Sequence, residues 1–176
     1  MNRVKNGLGF SNMQTKQLGS GLAIAWNGSR FTKLNHGIEL VGHDMITRTW
    51  SPDRYLAWVR LRDRSSGKII LVANHHGPLD INTGGKFGPQ DVANKIDGVI
   101  NRAKGSGDLV ILGGDMNADA GSQTTRSLTG KGYKRHGGDW VDHIFTQSGF
   151  TSSTQTTIIH GSGSDHRGVK TRFASF

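Results

Sequence analysis

The sequence predicts an α/β domain, and three features of the chain indicate it. Residues 68–73 (KIILVA) are apolar after Lys68, and residues 109–112 (LVIL) are apolar throughout, as is typical of strands buried on both faces. Between them, Pro89-Gln90-Asp91 begins a segment whose apolar residues recur every three or four positions, up to Gly105-Ser106-Gly107. A strand, a helix and a second strand in this order predict a parallel strand pair joined by a crossover helix.

Hairpins are predicted on both sides of this unit. Residues 21–26 (GLAIAW) end at Asn27-Gly28, a dipeptide that favours a tight turn, so residues 30–34 are predicted to pair with them. Residues 54–64 alternate in polarity and turn at Ser65-Ser66-Gly67 into the strand over 68–73. Further strands are predicted over residues 140–145, 154–159 and 168–173, with a short helix over 122–128.

Length and composition favour one domain with a sizeable core. The 176 residues fall within the usual range of a single domain, and we treat residues 1–176 as one domain with an irregular segment over 1–18. The chain has no Cys, which excludes disulfides and thiolate metal sites. No signal peptide and no apolar run of membrane-spanning length is recognisable, so a cytoplasmic protein without a membrane partner is expected.

The net charge is strongly positive. Lys and Arg number 22 against 13 Asp and Glu, which gives +9 at neutral pH. Such a charge favours a polyanionic partner, most often nucleic acid and less often an anionic membrane surface, although charge for solubility alone is the competing explanation. Candidate phosphate contacts are Arg48, Arg54, Arg60, Arg62, Arg64, Lys131, Lys134 and Arg135, with Trp50 and Trp140 as candidate stacking groups.

Four short polar segments lie at the predicted strand ends. They are Asn74-His75-His76, Gly114-Asp115-Met116-Asn117, Asp142-His143 and Ser164-Asp165-His166. Strand ends meet at one edge of a sheet, so these segments are predicted to form one site of imidazoles and carboxylates. Carboxylate and amide oxygens suit Mg²⁺ or Mn²⁺. Each segment alone also fits a plain structural role, such as an Asx turn at Asp115 or an exposed loop at His76.

Taken in order, the four segments resemble the endonuclease/exonuclease/phosphatase family, which includes deoxyribonuclease I and the abasic-site endonucleases. The resemblance extends from about Gly19 to Phe173 and rests on Asn74 to His76, Gly114 to Asn117, Val141 to Phe145 and Ser164 to Arg167. It implies a deoxyribonuclease I-like α/β sandwich of two mixed sheets with flanking helices. It also implies metal-dependent hydrolysis of a phosphoester.

The resemblance also implies roles for individual residues. His76 matches the histidine on the phosphate or leaving-group side, and Asp115 the aspartate that orients or deprotonates water. His166 matches a phosphate-side histidine held by a carboxylate, here Asp142. Metal ligands are expected at Asp115, Asn117 and Asp165, and substrate contacts at Asn74 and Arg167. His143 stands where the family commonly has Tyr, and we expect it to face away from Asp142.

One departure from the family concerns its principal metal ligand, a Glu that precedes the segment resembling GLAIAW. The chain contains a single Glu, Glu39, which lies after that segment. We therefore expect an N-terminally shortened fold. A homo-oligomer, or a partner chain that supplies the N-terminal part, would complete it; a shortened but self-sufficient enzyme and a non-catalytic remnant are the alternatives.

Three functions remain open from the sequence. The leading one is a metal-dependent nuclease, acting as endonuclease or exonuclease, with DNA as the favoured substrate. The second is a phosphoesterase for a lipid or another small molecule, for which the basic charge is less needed. The third is a nucleic-acid-binding module or a subunit of a split enzyme, which the missing Glu favours. A metal-free mechanism with His76 and His166 as acid and base is less favoured, because it leaves the aspartates without a role.

Overall fold

Ten strands and two α-helices make up the described part of the chain, which comprises residues 13–17, 21–46, 52–147, 150, 154–161 and 163–173 of a computed structural model. In chain order they are β1 (Met13–Gln17), β2 (Ala23–Asn27), β3 (Phe31–His43), β4 (Asp53–Asp63), β5 (Ile69–His76), α1 (Pro89–Ala103), β6 (Leu109–Asp115), α2 (Gln123–Gly130), β7 (Lys134–Asp139), β8 (Asp142–Thr146), β9 (Thr154–Ile159) and β10 (Gly168–Phe173). A single 3-10 turn, Gly85–Phe87, precedes α1.

A mixed six-stranded sheet forms the centre, in the order β3-β4-β5-β6-β8-β7. Strands β5 and β6 are parallel and are connected through α1, as the sequence predicts, whereas the other neighbouring pairs are antiparallel. The register sets His76 beside Asp115 and Asp115 beside Asp142. Three predicted site residues therefore occupy adjacent positions across three neighbouring strands.

The sheet buries apolar side chains on both faces. On one face, Leu56 of β4 and Leu71 of β5 pack with Ile96 and Ile100 of α1, all of them fully buried. On the other face, Ile24 of β2 belongs to a second core cluster with alternate residues of β4. Alternate side chains of β4 thus enter two different cores, one on each face of the sheet. The domain is therefore a layered α/β structure.

The second layer consists of two small antiparallel sheets, β1 with β2 and β9 with β10. The α/β fold class is confirmed, but the expected second mixed sheet is not what the described residues form. The strand pairs stand apart, because neither β2 nor β10 pairs with a further described strand. Between them lies an open groove of about 380 Å³, floored by Val72, Ile111 and Ile144.

The hairpin predicted from residues 21–26 and 30–34 is wrong. Its turn exists, since Arg30 N donates to Asn27 O at 3.2 Å, but the flanking strands belong to different sheets. β3 continues for 13 residues along β4, and β2 crosses to the other layer. There Ile24 and Trp26 of β2, with Leu22 just before it, are buried in the second core, and this burial favours the observed arrangement.

Other boundaries differ less. Met13–Gln17 is a strand, so the segment predicted as irregular over residues 1–18 is regular in part, while residues 1–12 lie outside the described chain. The strand predicted from Trp140 begins at Asp142, because Trp140 lies in the preceding turn. Strand β7 is not predicted, as its sequence, KRHGGD, lacks an apolar side chain. Ser122 caps α2, its side chain accepting from Thr125 N at 3.1 Å.

No helix among the described residues is long and apolar enough to cross a membrane.

Candidate active site

The end of β6 is shaped by close backbone contacts. Gly114 has φ +137°, and a Cβ on it would lie 2.0 Å from His75 O, so only glycine fits between the parallel strands. Asn117 follows with φ +44°, a left-handed conformation that Asn tolerates better than most residues. Its Nδ2 donates to Gly77 O at 2.8 Å, and its backbone N donates to Asp115 Oδ1 at 2.8 Å. This loop therefore fixes one oxygen of Asp115 and leaves the other for the site.

Asp115 Oδ2 faces two histidines. It lies 3.5 Å from His76 Nε2 and 3.9 Å from His166 Nδ1. His76 extends from the end of β5, and His166 precedes β10 in the other layer. Two imidazoles from separate sheets thus meet at one carboxylate, which is the convergence predicted from the four polar segments.

His166 is held by Asp142 of β8. Its Nδ1 donates to Asp142 Oδ2 at 2.6 Å. This hydrogen bond raises the pKa of His166 above its ordinary value, with the negative charges of Asp142 and Asp115 adding to the effect. Burial raises the pKa of Asp142, and its bond to the imidazole acts in the opposite direction. The pair therefore favours an imidazolium at His166 whose remaining N–H, at Nε2, is oriented by the carboxylate.

A group able to hold a metal ion is formed by Asp115, Asp142 and His166, whose ligand atoms all lie within 4.8 Å of one another. Asp165 is exposed and is not part of this group, and Ser164 Oγ lies 3.3 Å from its Oδ1. The expected ligand Asn117 lies beside the group but uses its Nδ2 in the loop. Of the three predicted metal ligands, only Asp115 belongs to this group, and Asp142 and His166 are its other members.

The two predicted substrate contacts take part in links between layers. Asn74 Nδ2 donates to Ala23 O at 3.1 Å and so connects β5 to β2. Arg167 forms a bidentate pair with Asp139, both N···O distances being 2.6 Å. Asn74 and Arg167 also line the groove between β2 and β10, next to Asp142. Their roles toward a substrate stay predictions.

Two further histidines at these strands are structural. His75 is fully buried, its Nδ1 donates to Tyr55 O at 2.9 Å, and burial lowers its pKa to about 4. His143 faces away from Asp142, as expected, and its Nε2 donates to Ala118 O at 2.9 Å. Burial lowers the pKa of His143 too. Both imidazoles therefore stay neutral inside the protein and carry no charge to a phosphate.

The single Glu does not replace the missing family ligand. Glu39 Oε2 lies 2.6 Å from Arg102 of α1, and Glu39 is not part of the described metal-capable group. The carboxylates available at the site are therefore aspartates.

Three of the seven described residues of the predicted basic track pair inside the fold. Arg54 binds the fully buried Asp44 with two hydrogen bonds of 2.7 and 2.8 Å, and Arg60 pairs with buried Asp108. Arg135 Nε donates to His143 Nδ1 at 3.2 Å. Arg62, Arg64 and Lys134 are exposed and Lys131 is half-exposed, whereas Arg48 and Trp50 lie outside the described residues. The predicted continuous track is thus reduced to separate groups.

Supporting residues that the sequence did not reveal surround the site. Asp139 holds Arg167, as described above. Asn82 and Asp119 form reciprocal hydrogen bonds of 2.7 and 2.8 Å, and Asn82 N also donates to Asn117 O at 2.7 Å. These residues join the loops after β5 and β6 and so keep Asp115 in place. Only the turn-forming character of Asn and Asp hints at such roles in the sequence.

With the fold and site in place, comparisons with known proteins define the family. The sequence model of the Endonuclease/Exonuclease/phosphatase family matches residues 14–166. The chain therefore belongs to the endonuclease/exonuclease/phosphatase family. Members of this family are generally hydrolases and usually require a metal ion. A sequence search among curated proteins finds no match.

Solved structures show the same fold at low sequence identity. A family protein from Bacteroides thetaiotaomicron has a TM-score of 0.64 at 17% identity, over 99% of this chain and 75% of that one. A mannosyl-6-phosphatase from Bacteroides thetaiotaomicron VPI-5482 has a TM-score of 0.66 at 16% identity, over 98% and 80%. D. rerio TDP2, complexed with a single strand DNA product, has a TM-score of 0.56 at 15% identity, over 90% and 72%. At these identities the likeness concerns the fold.

Proposed function

We propose that this protein is a metal-dependent phosphodiesterase that hydrolyses nucleic acid, with DNA as the favoured substrate. The observation that carries the proposal is the position of Asp115 Oδ2 between His76 Nε2, at 3.5 Å, and His166 Nδ1, at 3.9 Å. A carboxylate flanked by two imidazoles offers a proton acceptor and two hydrogen-bond donors around one point. Hydrolysis of a phosphodiester needs both kinds of group.

In the proposed step, a bond forms from a water oxygen to phosphorus while the bond from phosphorus to the leaving oxygen breaks. Asp115 accepts the proton that the attacking water loses. His76, as imidazolium, gives a proton to the leaving oxygen. His166 donates from Nε2 to a phosphoryl oxygen, and Asp142 stabilises its positive charge through Nδ1. The two proton transfers balance, so no free hydroxide or alkoxide has to form.

A bound Mg²⁺ or Mn²⁺ would offset the charge of the phosphoryl oxygens. The donor set suits such an ion, because Asp115 and Asp142 present hard carboxylate oxygens close together. We propose these two residues as its holders, with the amide oxygen of Asn117 and the exposed Asp165 as further ligands from the same edge.

The substrate proposal rests on charge and on one structural neighbour. The net charge of +9 favours association with a phosphate backbone, since each neutralised phosphate releases counterions. TDP2 shares the fold and was solved with a single strand DNA product. Both observations favour DNA among the phosphodiesters that the site would accept.

Nicking of a supercoiled plasmid tests this function directly. The wild-type protein is incubated with Mg²⁺, Mn²⁺ or a chelator, beside His166→Ala and Asp115→Asn. We expect metal-dependent nicking that both variants lose, while the variants keep the wild-type circular dichroism spectrum. Folded wild-type protein that leaves the plasmid intact with either metal would contradict the proposal.

A small phosphoester is the second candidate substrate. It is favoured by the internal pairing of Arg54, Arg60 and Arg135, which shortens the basic surface, and the fold is shared with a mannosyl-6-phosphatase. Salt dependence separates the two candidates. Nuclease activity should fall steeply between 50 and 200 mM salt, roughly 10³-fold if about six phosphates are contacted, whereas activity on a small ester should change little.

Self-association across the open groove is a further proposal. The groove between β2 and β10 has an apolar floor, and each of these strands has one edge that no described strand covers. A second copy that adds an edge strand would cover both features. Sedimentation equilibrium tests it: a dimer supports the proposal, and a monomer at all concentrations contradicts it and favours completion by a different chain.

A further inference from the structure

Trp140 is a large aromatic side chain exposed at the rim of the site. It is 60% exposed and lies in the turn between β7 and β8. The register pairs Asp139 with Asp142, so the turn has only two central residues, Trp140 and Val141. Neither of the two apolar clusters includes Trp140. The indole therefore adds little to the core, and its position calls for another explanation.

The backbone of this turn does not favour Trp. Trp140 has φ +52°, whereas Val141 is not among the residues with positive φ. Positive φ at the first central residue alone is the pattern of a type II′ turn, in which glycine is the preferred residue. A bulky residue in this conformation is an outlier. Glycine would suit the turn better, so the reason for Trp lies in its ring.

The ring lies beside the phosphate-side histidine. The centroids of the Trp140 and His166 rings are 5.4 Å apart, at an interplanar angle of 46°. The bidentate pair between Asp139 and Arg167 ties the turn to the segment that carries His166. The indole of Trp140 thus lies next to the imidazole of His166, which would donate to the phosphate, and most of its surface is open to solvent.

We propose that Trp140 is a stacking platform for the nucleobase next to the scissile phosphate. This inference rests on the proposed phosphodiesterase function and adds a requirement, namely that good substrates carry a planar ring beside the cleaved bond. Every base offers an aromatic face, so an exposed indole at this place stacks without selecting a sequence.

Binding and cleavage of two matched oligomers test the platform. One is a fluorescein-labelled ten-residue oligothymidylate; the other has the same length and charge but abasic sugars throughout. Dissociation constants come from fluorescence anisotropy in chelator, so they do not depend on cleavage, and KM and kcat come from the same oligomers with Mn²⁺. The variants are Trp140→Gly, which keeps the positive φ, and Trp140→Phe, which keeps a ring.

We expect Trp140→Gly to weaken oligothymidylate binding about 5- to 100-fold, to raise KM with little change in kcat, and to leave abasic binding unchanged. Trp140→Phe should lose less. The Tm of Trp140→Gly should equal or exceed that of the wild type, since glycine suits the turn. An equal loss on both oligomers would indicate sugar or backbone contact and overturn the proposal, as would no loss on either.

These outcomes are separate from those of the proposed function. If the wild type binds oligothymidylate through Trp140 but cleaves neither oligomer, the platform stands and the hydrolase proposal fails. If the wild type cleaves both oligomers equally well and Trp140→Gly changes nothing, hydrolysis stands and the platform fails.

Discussion

His166 Nδ1 and Asp142 Oδ2 are 2.6 Å apart, although Asp142 lies in β8 of the larger sheet and His166 just before β10 of a separate one. The contact joins the larger sheet to the β9–β10 pair and at the same time sets the charge of the imidazole. One hydrogen bond thus serves both the packing of the layers and the chemistry of the site.

Replacing Asp142 by Asn should lower the pKa of His166. The carboxylate is the main cause of the raised value, and an amide keeps the shape but removes the charge. We expect activity on a phosphodiester to fall about 10²- to 10³-fold, the range for losing one donor that stabilises developing charge. NMR titration of the His166 ring protons measures the pKa. Asp139→Asn, in the same turn, is the control and should leave that pKa unchanged.

The pH dependence of activity should follow the same group. The pKa of His166 is raised, so its imidazolium persists above the ordinary histidine range and is lost as the pH rises through the raised value. The alkaline limb of kcat/KM should therefore lie above pH 6.5 in the wild type and move to lower pH in Asp142→Asn. An alkaline limb at the same pH in both proteins would show that activity does not depend on the imidazolium of His166.

Asp115→Asn should weaken Mn²⁺ binding more than any other single aspartate change near the site. Asp115 belongs to the metal-capable group, and its Oδ2 is turned toward both histidines. Isothermal titration with Mn²⁺ measures the affinity. Asp165→Asn, outside that group, should have a smaller effect, and Asp91→Asn, an exposed carboxylate on α1, should have none. Equal losses in Asp115→Asn and Asp165→Asn would place Asp165 in the metal site as an equal ligand.

His75 should make stability depend on pH in the acid range. Burial lowers its folded pKa to about 4, whereas the unfolded chain binds the proton near pH 6.5. The stabilisation is therefore complete above pH 6.5 and is lost as the pH falls toward 4. The loss is at most about 3 kcal/mol, at about 1.4 kcal/mol per pKa unit. Urea unfolding of wild type and His75→Phe at several pH values measures it.

The His75→Phe variant lacks the buried imidazole that titrates, so its unfolding free energy should decline less between pH 6.5 and 4 than that of the wild type. His160→Gln removes an exposed histidine and should reproduce the wild-type slope. Identical slopes in the wild type and His75→Phe would mean that His75 takes up its proton in the folded state as readily as in the unfolded one.

Replacing Asn117 by alanine should destabilise the folded protein more than replacing it by glycine. Both changes remove the hydrogen bond to Gly77 O, which costs about 1 kcal/mol or more at a buried site. Alanine must also adopt the left-handed backbone at φ +44°, which adds about 1 kcal/mol, whereas glycine does so freely. Thermal unfolding of Asn117→Ala and Asn117→Gly gives the difference. Glycine as the more damaging change would contradict this account of the loop.

The central unit and its site could be predicted because their signals are local. The apolar runs of β5 and β6 and the spacing of α1 set the parallel pair, and strand ends set the convergence of His76, Asp115 and Asp142. The sequence did not show which of two possible partner strands would pair with β3, because that choice depends on contacts that are distant in the chain. Asn27-Gly28 marks a turn in any case, but whether β3 pairs with β2 or with β4 depends on the burial of β2 in the second core.

The roles of basic and acidic side chains were the least predictable part. Arg54 and Arg60 look like phosphate contacts in the sequence, yet each meets a buried carboxylate that lies far away in the chain or in a neighbouring loop. Asp142 gained a place in the metal-capable group only because β8 pairs with β6. Such pairings depend on side-chain geometry, which strand patterns do not report.

The separation of β9 and β10 from the six-stranded sheet also bears on dynamics. Side-chain contacts across this boundary include the hydrogen bonds of His166 with Asp142, Arg167 with Asp139 and Thr156 with the backbone of His136, and the edge-to-face rings of His136 and Phe173 at 5.3 Å. Since neither β9 nor β10 pairs with a described strand of the larger sheet, this unit is expected to open more readily than the strands within that sheet. Opening would remove His166 from the site and leave Asp115 in place. Amide exchange in β10 would then measure how long the assembled site persists, and a phosphodiester bound across the boundary would slow it.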